Sequence, residues 1–346
     1  MKALRQIGIG LLIITGVIVI YLAVVIFGPG FNIDRKHFEF TGTGPKPAVS
    51  LPYRHDVSFK VDGTEVSAWL YLPDKTDPPV TCVVMSNGFG GTKDGLLEKY
   101  AIRYRNIGLA VLTYDYRFFG QSKGEPRQMY SMLDQLKDLR GAVAYVRSRK
   151  EINPDKVALW GTSAGGGYGF VIAAEDKRIA AIVSHVPGLD NDADAEKTFE
   201  RMGASLFRIL LHAQRDRGRS RFNLSPHRIP IVGKTGALAM LNAPGAYEGY
   251  SRLAPPGFKN EICARSILLA HLNPMDFVPA TRVPVLLQVA EKDNLVANVH
   301  VRVKRILGKR VVVKIYPVGH FDVYTGPNFE RAVRDQIDFF QAHLLK

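Results

Sequence analysis

The stretch Val157-Ala158-Leu159-Trp160-Gly161-Thr162-Ser163-Ala164-Gly165 decides the fold of this chain. Its first four residues are typical of a buried strand, and the small apolar run at 166–174 is typical of a helix packed closely under a sheet. Ser163 lies between them in a Gly-x-Ser-x-Gly turn, and a serine at such a sharp turn presents its hydroxyl group to solvent. The stretch therefore predicts an exposed serine nucleophile. A Gly/Ser-rich turn without chemistry is the alternative.

A nucleophilic serine needs a base, and the base needs a carboxylate that orients it. Residues 284–290 are typical of a buried strand that leads to Asp293, and residues 311–316 of a strand that leads to His320. We therefore predict Asp293 as the catalytic acid and His320 as the base. The order serine, aspartate, histidine differs from the orders in chymotrypsin and subtilisin. The alternatives for the acid are Asp190, Glu291 and Asp322.

A glycine-rich loop at 86–94 follows the buried strand at 80–85. Backbone N–H groups in such a loop can point at the negative charge that develops on a reacting carbonyl oxygen. We predict that the N–H groups of Phe89 and Ala164 form this oxyanion hole. The alternative for Asn87-Gly88 is an ordinary turn pair.

Taken together, these segments resemble the serine α/β-hydrolases, in the neighbourhood of the dienelactone hydrolases and prolyl peptidases. Members commonly carry a His-Gly-x-Gly-Gly loop, an Asp-Tyr-Arg-x-x-Gly-x-Ser segment, the serine turn and a late Gly-His pair. Residues 115–122 read Asp-Tyr-Arg-Phe-Phe-Gly-Gln-Ser, whereas Asn87 stands where many relatives have histidine. The backbone donor of the loop survives that change. The resemblance covers roughly residues 55–346 and implies an α/β-hydrolase fold without identifying a substrate.

Strand-like and helix-like segments alternate along most of the chain. Residues 56–72 predict a hairpin around Asp62-Gly63, residues 109–114 a strand, and residues 130–149 a helix. Such alternation predicts a mostly parallel sheet with helices on both faces.

The alternation of strands and helices breaks at 188–280. In the α/β-hydrolases that this chain resembles, an insertion at this place forms a cap over the active site. Within it, residues 195–213 predict one amphipathic helix that could give the site an apolar wall. The apolar face of this helix comprises Phe199, Met202, Leu206, Ile209, Leu210 and Ala213. Tyr247 and Tyr250 either line a pocket or pack elsewhere.

A basic stretch overlaps the end of this predicted helix. One acid, Asp216, stands against six arginines: Arg208, Arg215, Arg217, Arg219, Arg221 and Arg228. Such a stretch either lies on a membrane or belongs to an ordinary cap helix whose charges are in water.

The run from Ile7 to Phe27 is apolar and uncharged. A helix of about 20 residues spans roughly 30 Å of hydrocarbon. No convincing cleavage site accompanies the run, so residues 1–30 predict a transmembrane signal anchor, with a cleaved signal peptide as the alternative. We expect a linker at 31–54, which lies against the domain or hangs from the membrane, and a hydrolase domain at 55–346.

The charges beside the apolar run bear on its orientation. Lys2 and Arg5 precede it, whereas Arg35 and Lys36, offset by Asp34, follow it. The positive-inside rule therefore favours a cytoplasmic N-terminus, with the catalytic domain on the non-cytoplasmic side of a single-pass membrane protein.

The 346-residue chain is basic, with a net charge of +14. Nucleic acid, an anionic membrane and an acidic substrate are the general partners of such a chain. We expect no nucleic acid, because no nucleic-acid-binding motif is present, and favour either the membrane or a solvated basic surface. The histidines show no metal-ligand spacing, so we expect neither metal nor cofactor. We expect Cys82 and Cys263 to be buried free thiols, and His185 to be a core or pocket residue. The oligomeric state is not predicted.

The predicted reaction is acyl transfer to water through an acyl-enzyme. The favoured class is a carboxylic-ester hydrolase acting on a small hydrophobic or lipid-like ester. A peptidase or amidase of the prolyl-peptidase type and an acyltransferase to a non-water acceptor are the enzymatic alternatives. An inactive hydrolase-fold binding protein is the non-enzymatic one.

Overall fold

The computed structural model describes residues 2–28, 32–74 and 79–345. Within these residues, eight strands form one sheet in the order β1-β2-β4-β3-β5-β6-β9-β10. These strands are β1 (Arg54–Val61), β2 (Thr64–Tyr71), β3 (Val80–Ser86), β4 (Ala110–Tyr114), β5 (Ile152–Thr162), β6 (Ile179–His185), β9 (Val285–Ala290) and β10 (Val311–Tyr316). Strands β7 (Arg228–Ile229) and β8 (Ile262–Cys263) pair separately.

The sheet begins with a hairpin and continues as parallel strands. Asp62 and Gly63 connect β1 to β2 with φ angles of 48° and 77°, which suits a two-residue hairpin turn. Strand β2 pairs antiparallel with β1 and β4, and the pairs from β4 to β10 are parallel. The predicted hairpin and mostly parallel sheet are therefore confirmed.

Helices cover both faces of the sheet. They are α2 (Leu97–Arg105), α3 (Met132–Arg147), α4 (Tyr168–Glu175), α8 (His300–Leu307) and α9 (Gly326–Leu344). In β3, Cys82 and Val84 pack on the face covered by α3, α4 and α8, whereas Val83 and Met85 pack on the face covered by α2 and α9. This alternation follows from the two-residue period of a strand. A strand covered on both faces is apolar throughout, which is why β3 is buried at every position.

The segment between β6 and β9 contains α5 (Asn191–Met202), α6 (Ala204–Arg221) and α7 (Ala246–Ser251). The prediction of one helix at 195–213 is wrong. Gly203 separates two helices with a φ of 48°, a conformation that glycine adopts without steric cost. Only part of the predicted apolar face is buried, and Phe199 is 65% exposed. The spacing of apolar residues alone does not reveal that a single residue interrupts a helix.

The apolar N-terminal run forms α1 (Lys2–Phe27). Its segment Gln6–Phe27 has a mean hydropathy of 3.0 and is the one helix of the described residues long and apolar enough to cross a membrane. A membrane anchor and a signal sequence share these properties. Part of the predicted linker lies against the domain, because Thr43 N–H donates to Ser251 O at 2.8 Å.

Two further predictions concern buried residues. Cys82 and Cys263 are buried free thiols, as predicted. His185 is a core residue, because its Nδ1 lies 2.7 Å from Gln288 Oε1 and none of its side chain is exposed.

Candidate active site

The serine turn connects β5 to a short 3-10 helix, Ser163–Gly167. Ser163 has a φ of 51°, in the left-handed region that is strained for a serine. The turn is tight, since a Cβ atom at Gly161 would lie 2.2 Å from Gly165 O and one at Gly165 would lie 2.3 Å from Asn87 O. Glycine is therefore required at both positions, and the turn leaves the Ser163 side chain half-buried at the edge of a cavity.

Ser163, His320 and Asp293 form one hydrogen-bonded chain. His320 Nε2 lies 3.2 Å from Ser163 Oγ, and His320 Nδ1 lies 2.6 Å from Asp293 Oδ2. The serine follows β5, the aspartate follows β9 and the histidine follows β10, so the parallel strands bring all three to one edge of the sheet. The structure thus brings together the three residues singled out as catalytic in the sequence.

Asp293 is held in the orientation that this chain requires. Its Oδ1 accepts hydrogen bonds from the N–H groups of Leu295 at 2.8 Å and Val296 at 3.0 Å. Burial raises the pKa of Asp293, but the His320 charge, the His320 hydrogen bond and the two backbone donors together hold it below its usual value. An ionised Asp293 keeps a proton on His320 Nδ1 and leaves Nε2 free to accept one.

The other carboxylates considered for the acid have different partners. Asp190 Oδ2 accepts a hydrogen bond from Arg302 at 2.7 Å, and Asp322 Oδ1 accepts one from Arg252 at 3.2 Å. Glu291 is exposed. None of the three has a recorded hydrogen bond to His320 within the described residues.

The two predicted oxyanion donors lie beside the serine. Ala164 is in the first turn of the short helix, where backbone N–H groups lack helical partners. The Phe89 N–H group has no recorded acceptor among the described residues, and Tyr250 Oη donates to Phe89 O at 2.8 Å. Tyr250 thus holds the loop after β3 in place, and its side chain also lines the pocket.

Residues 115–122 hold this loop in place. Asp115 Oδ1 accepts a hydrogen bond from Lys93 N at 2.7 Å, and Asp115 Oδ2 accepts one from Lys93 Nζ at 2.8 Å. Ser122 Oγ donates to Asp115 O at 2.6 Å. The side chains of Lys93 and Asp115 are both almost fully buried, so this ion pair anchors the loop from beneath. Asn87, at the position where many relatives have histidine, is buried, and its Nδ2 has no partner among the described residues.

The site opens into a cavity of about 300 Å³. Most of its lining is apolar and comes from the loop after β3 and from the segment between β6 and β9. Among the residues that line it are Phe89, Met240, Leu241, Leu253, Phe258 and Phe321. Apart from His320 and four tyrosines, the charged or titratable side chains among the described lining residues are Asp194 and Arg201; the tyrosines are Tyr130, Tyr168, Tyr250 and Tyr324.

The polar face that α5 turns toward this cavity was not predicted from the sequence. Asn191, Asp194, Thr198 and Arg201 all line it. Their spacing of three, four and three residues places them on one face of the helix, so the same periodicity that revealed the apolar face could have revealed this one. The side of α5 that faces the cavity is therefore polar, and the expected apolar wall from 195–213 is wrong for this helix.

Asp194 has an unusual environment. Its Oδ1 accepts a hydrogen bond from Ala297 N–H at 2.6 Å. Burial, together with the charges on Asp293 and Asp190, raises the pKa of Asp194 to about 7, although the Ala297 hydrogen bond acts in the opposite direction. The cavity therefore contains a carboxyl group that changes its charge near neutral pH.

The chain is similar to known proteins over most of its length. The model of the alpha/beta hydrolase fold family matches residues 81–327. The chain is 36% identical over 294 residues to the quorum-quenching protein AidA of Acinetobacter baumannii (strain MDR-ZJ06). This aligned region covers 83% of this chain and 94% of that protein. It is 29% identical over 309 residues to the polyketide transferase grgF of a Penicillium species, with coverage of 86% and 99%.

Solved structures show the same fold. The structure of DcsB in complex with its substrate analogue superposes with a TM-score of 0.70 at 23% identity and covers 85% of this chain and 100% of that one. The family match, the relatives and the eight-stranded, mostly parallel sheet agree on one assignment. The chain belongs to the alpha/beta hydrolase fold family.

Proposed function

We propose that the protein is a serine hydrolase that works through an acyl-enzyme. The observation that carries the proposal is the position of His320, which lies within hydrogen-bond distance of both Ser163 Oγ and Asp293 Oδ2. A base that touches both a nucleophile and an orienting carboxylate is the arrangement that activates a serine hydroxyl group.

The first half of the reaction forms the acyl-enzyme. Ser163 Oγ attacks the substrate carbonyl carbon while its proton moves to His320 Nε2. The carbonyl oxygen becomes negatively charged and accepts hydrogen bonds from the N–H groups of Phe89 and Ala164. Asp293 stabilises the imidazolium ion. The tetrahedral intermediate then collapses, and His320 gives its proton to the departing alkoxide, which leaves as an alcohol.

The second half regenerates the enzyme. His320 removes a proton from water, and the resulting hydroxide attacks the acyl carbon of the ester formed at Ser163. Collapse of the second intermediate breaks the bond to Ser163 Oγ, which recovers its proton from His320, and releases a carboxylic acid. The protein supplies every group that this cycle needs, so we propose no cofactor.

The substrate class follows from the cavity. Its mainly apolar lining favours a hydrophobic acyl or alcohol group, and a volume of about 300 Å³ suits a small molecule. The polar face of α5 provides hydrogen-bonding groups for part of that molecule. We therefore propose a carboxylic-ester hydrolase on a small hydrophobic or lipid-like ester.

Acyl transfer to an acceptor other than water is the second candidate. It is favoured by the similarity to a polyketide transferase over 86% of this chain and 99% of that protein. In that reaction an alcohol, amine or thiol takes the place of water in the second half, and the first half is unchanged.

One panel tests these candidates. Purified protein is assayed with p-nitrophenyl esters of increasing chain length and with aminoacyl-nitroanilides, beside the Ser163→Ala variant. We expect hydrolysis of the esters and little of the anilides; the reverse would favour a peptidase or amidase. A fluorophosphonate probe that labels neither form would favour an inactive binding protein. Adding an alcohol or amine acceptor and measuring the acylated product distinguishes acyl transfer from hydrolysis.

We also propose that α1 anchors the protein as a single-pass membrane protein, with the catalytic domain on the non-cytoplasmic side. The apolar segment Gln6–Phe27 supports the anchor, and the charges around it support the orientation. Extraction tests the first point, because an anchored protein stays with membranes in high salt and alkaline carbonate. Protease added to intact cells or spheroplasts tests the second, because it should digest the catalytic domain without lysis.

A further inference from the structure

The C-terminal end of α1 is bound by a buried arginine from α6. Arg215 Nη1 donates to Val25 O at 2.7 Å and to Ile26 O at 3.1 Å, and Arg215 Nη2 donates to Asn32 Oδ1 at 3.0 Å. Arg215 is 3% exposed. The last carbonyls of a helix lack partners within it, so a cation at this place satisfies them.

The two helices also approach closely at this point. A Cβ atom at Gly218 would lie 2.5 Å from Ile26 Cγ1, so residue 218 has to be glycine for α1 to lie where it does. The rings of Phe27 and Phe222 are 5.5 Å apart. Val25 is buried by these contacts, whereas most of the apolar span of α1 is exposed. The contact is therefore confined to the last turns of α1.

This contact fixes where α6 lies relative to a bilayer. The apolar span of α1 ends at Phe27, so in a membrane this residue lies at the boundary between hydrocarbon and headgroups. The α6 residues packed against Val25, Ile26 and Phe27 must then lie at the same depth.

The surface of α6 suits that position. Phe207, Leu211, Arg215 and Gly218 are spaced at three or four residues and therefore share one face of α6, and Phe222 follows four residues later at the end of the helix. Phe207 and Phe222 are largely exposed. Aromatic and other apolar groups on such a helix insert at the headgroup boundary of a bilayer.

The exposed charge on α6 is of one sign. Arg208, Arg217 and Arg221 are exposed. The one acidic residue of the helix, Asp216, is fully buried and accepts hydrogen bonds from the N–H groups of His227 and Arg265. A surface with exposed cations beside exposed aromatic rings matches anionic lipid headgroups.

We propose that α1 stays attached to the mature protein and that its docking on α6 places this helix on the surface of an anionic lipid bilayer. Phe207 and Phe222 insert among the headgroups, and Arg208, Arg217 and Arg221 contact lipid phosphates. Removal of α1 by a signal peptidase would leave the buried guanidinium of Arg215 without its two carbonyl partners. The proposal rests on the proposed membrane anchor, and it does not depend on the proposed catalytic reaction.

Disulfide trapping tests the docking of α1. A Cβ atom at Gly218 would lie 3.7 Å from Ile26 Cβ, within the range of about 3.5–4.5 Å found in disulfides. The full-length Ile26→Cys/Gly218→Cys variant is oxidised in native membranes, and the linked peptides are identified by mass spectrometry. We expect an intramolecular bond. The control is Val19→Cys/Gly218→Cys combined with Ile26→Ala, which leaves room for a side chain at 218; Val19 is exposed and lies about two turns from residue 26.

The outcomes of this trapping separate the possibilities. A mature protein that lacks residue 26 would overturn the proposal, and so would equal cross-linking of the test and control pairs. A bond that forms only between two chains would mean that α1 docks on a second copy.

Depth measurement tests the bilayer contact. Phe207→Cys and Phe222→Cys are labelled with a bimane fluorophore in full-length protein reconstituted into phosphatidylglycerol-containing nanodiscs with brominated lipid. We expect at least about twofold quenching at both sites, and none at Val301→Cys, an exposed control on α8. Replacing Arg208, Arg217 and Arg221 together by glutamine should reduce the quenching, as should lipid without anionic headgroups. Equal signals at all three labelled sites would refute the contact, and a thermal melt of each variant shows whether it is folded.

Discussion

Gly88 faces Ser163 so closely that a Cβ atom at residue 88 would lie 3.0 Å from Ser163 Cβ and 3.6 Å from Ser163 Oγ. The glycine of the loop after β3 thus sets the space between the nucleophile and the proposed oxyanion donors. The Gly-x-Ser-x-Gly pattern specifies the serine turn. The need for glycine at residue 88, in contrast, arises because a loop far away in the chain packs against Ser163.

We expect Gly88→Ala to lower kcat by about 10²- to 10³-fold, as loss of an oxyanion donor does. The added methyl group displaces either the serine side chain or the Phe89 N–H group. Steady-state kinetics on a p-nitrophenyl ester measures the loss, and a thermal melt shows whether the fold is retained. Normal kcat in a folded Gly88→Ala protein would place the oxyanion donors elsewhere.

We expect Ser163→Ala, His320→Ala and Asp293→Asn each to reduce kcat by about 10⁴-fold or more. Each change removes one member of a hydrogen-bonded chain that acts as a unit. Glu291→Gln is the matched control, because Glu291 is exposed and two residues before Asp293. If Asp293→Asn retained normal turnover, Asp190 would be the next candidate for the acid.

We expect the carboxyl group of Asp194 to make the free energy of unfolding depend on pH. In the folded protein this group keeps its proton up to about pH 7, whereas an unfolded aspartic acid loses its proton near pH 4, at a pKa of about 3.9. The folded state binds more protons within this interval, so the free energy of unfolding falls as the pH rises through it. Asp194→Asn removes that fall.

We expect Asp194→Asn to stabilise the protein relative to wild type by about 1–2 kcal/mol at pH 8 and by much less at pH 4.5. Urea denaturation at the two pH values measures the difference. Asp192→Asn, at an exposed position on the same helix, should show no such dependence on pH. A difference of the same size at both pH values would mean that Asp194 titrates normally.

Gln288 connects a buried polar network beneath the site. Its Nε2 donates to Tyr316 Oη at 2.6 Å and to Ala332 O at 2.9 Å, and its Oε1 accepts a hydrogen bond from Gln336 Nε2 at 2.5 Å. We expect Gln288→Leu to cost about 2–4 kcal/mol in the free energy of unfolding, because buried partners lose their hydrogen bonds. Chemical denaturation measures this loss.

The control for that loss is Lys314→Met, on the strand paired with Gln288. Lys314 is exposed and forms an ion pair with Asp335, so the change should cost less than about 1 kcal/mol. A Gln288→Leu protein as stable as wild type would show that the network adds nothing to stability.

The helical segment after β6 was predicted only in part from the sequence. The apolar spacing across 195–213 correctly indicated helix, but Gly203 divides it, and the face that reaches the cavity is polar. Periodicity shows that a helix is amphipathic. It does not show which face is turned to a site, because that depends on what the neighbouring segments already cover.

The sequence by itself determined the alternation of strands and helices, the serine turn and the order of Ser163, Asp293 and His320. These features follow from local rules, since hydrophobic period, glycine spacing and turn chemistry act over a few residues. Only the tertiary structure decided that Arg215 binds the carbonyls of Val25 and Ile26, 190 and 189 residues away along the chain. The physical reason is that such contacts depend on how the elements pack, and packing brings together residues whose local sequences carry no record of each other.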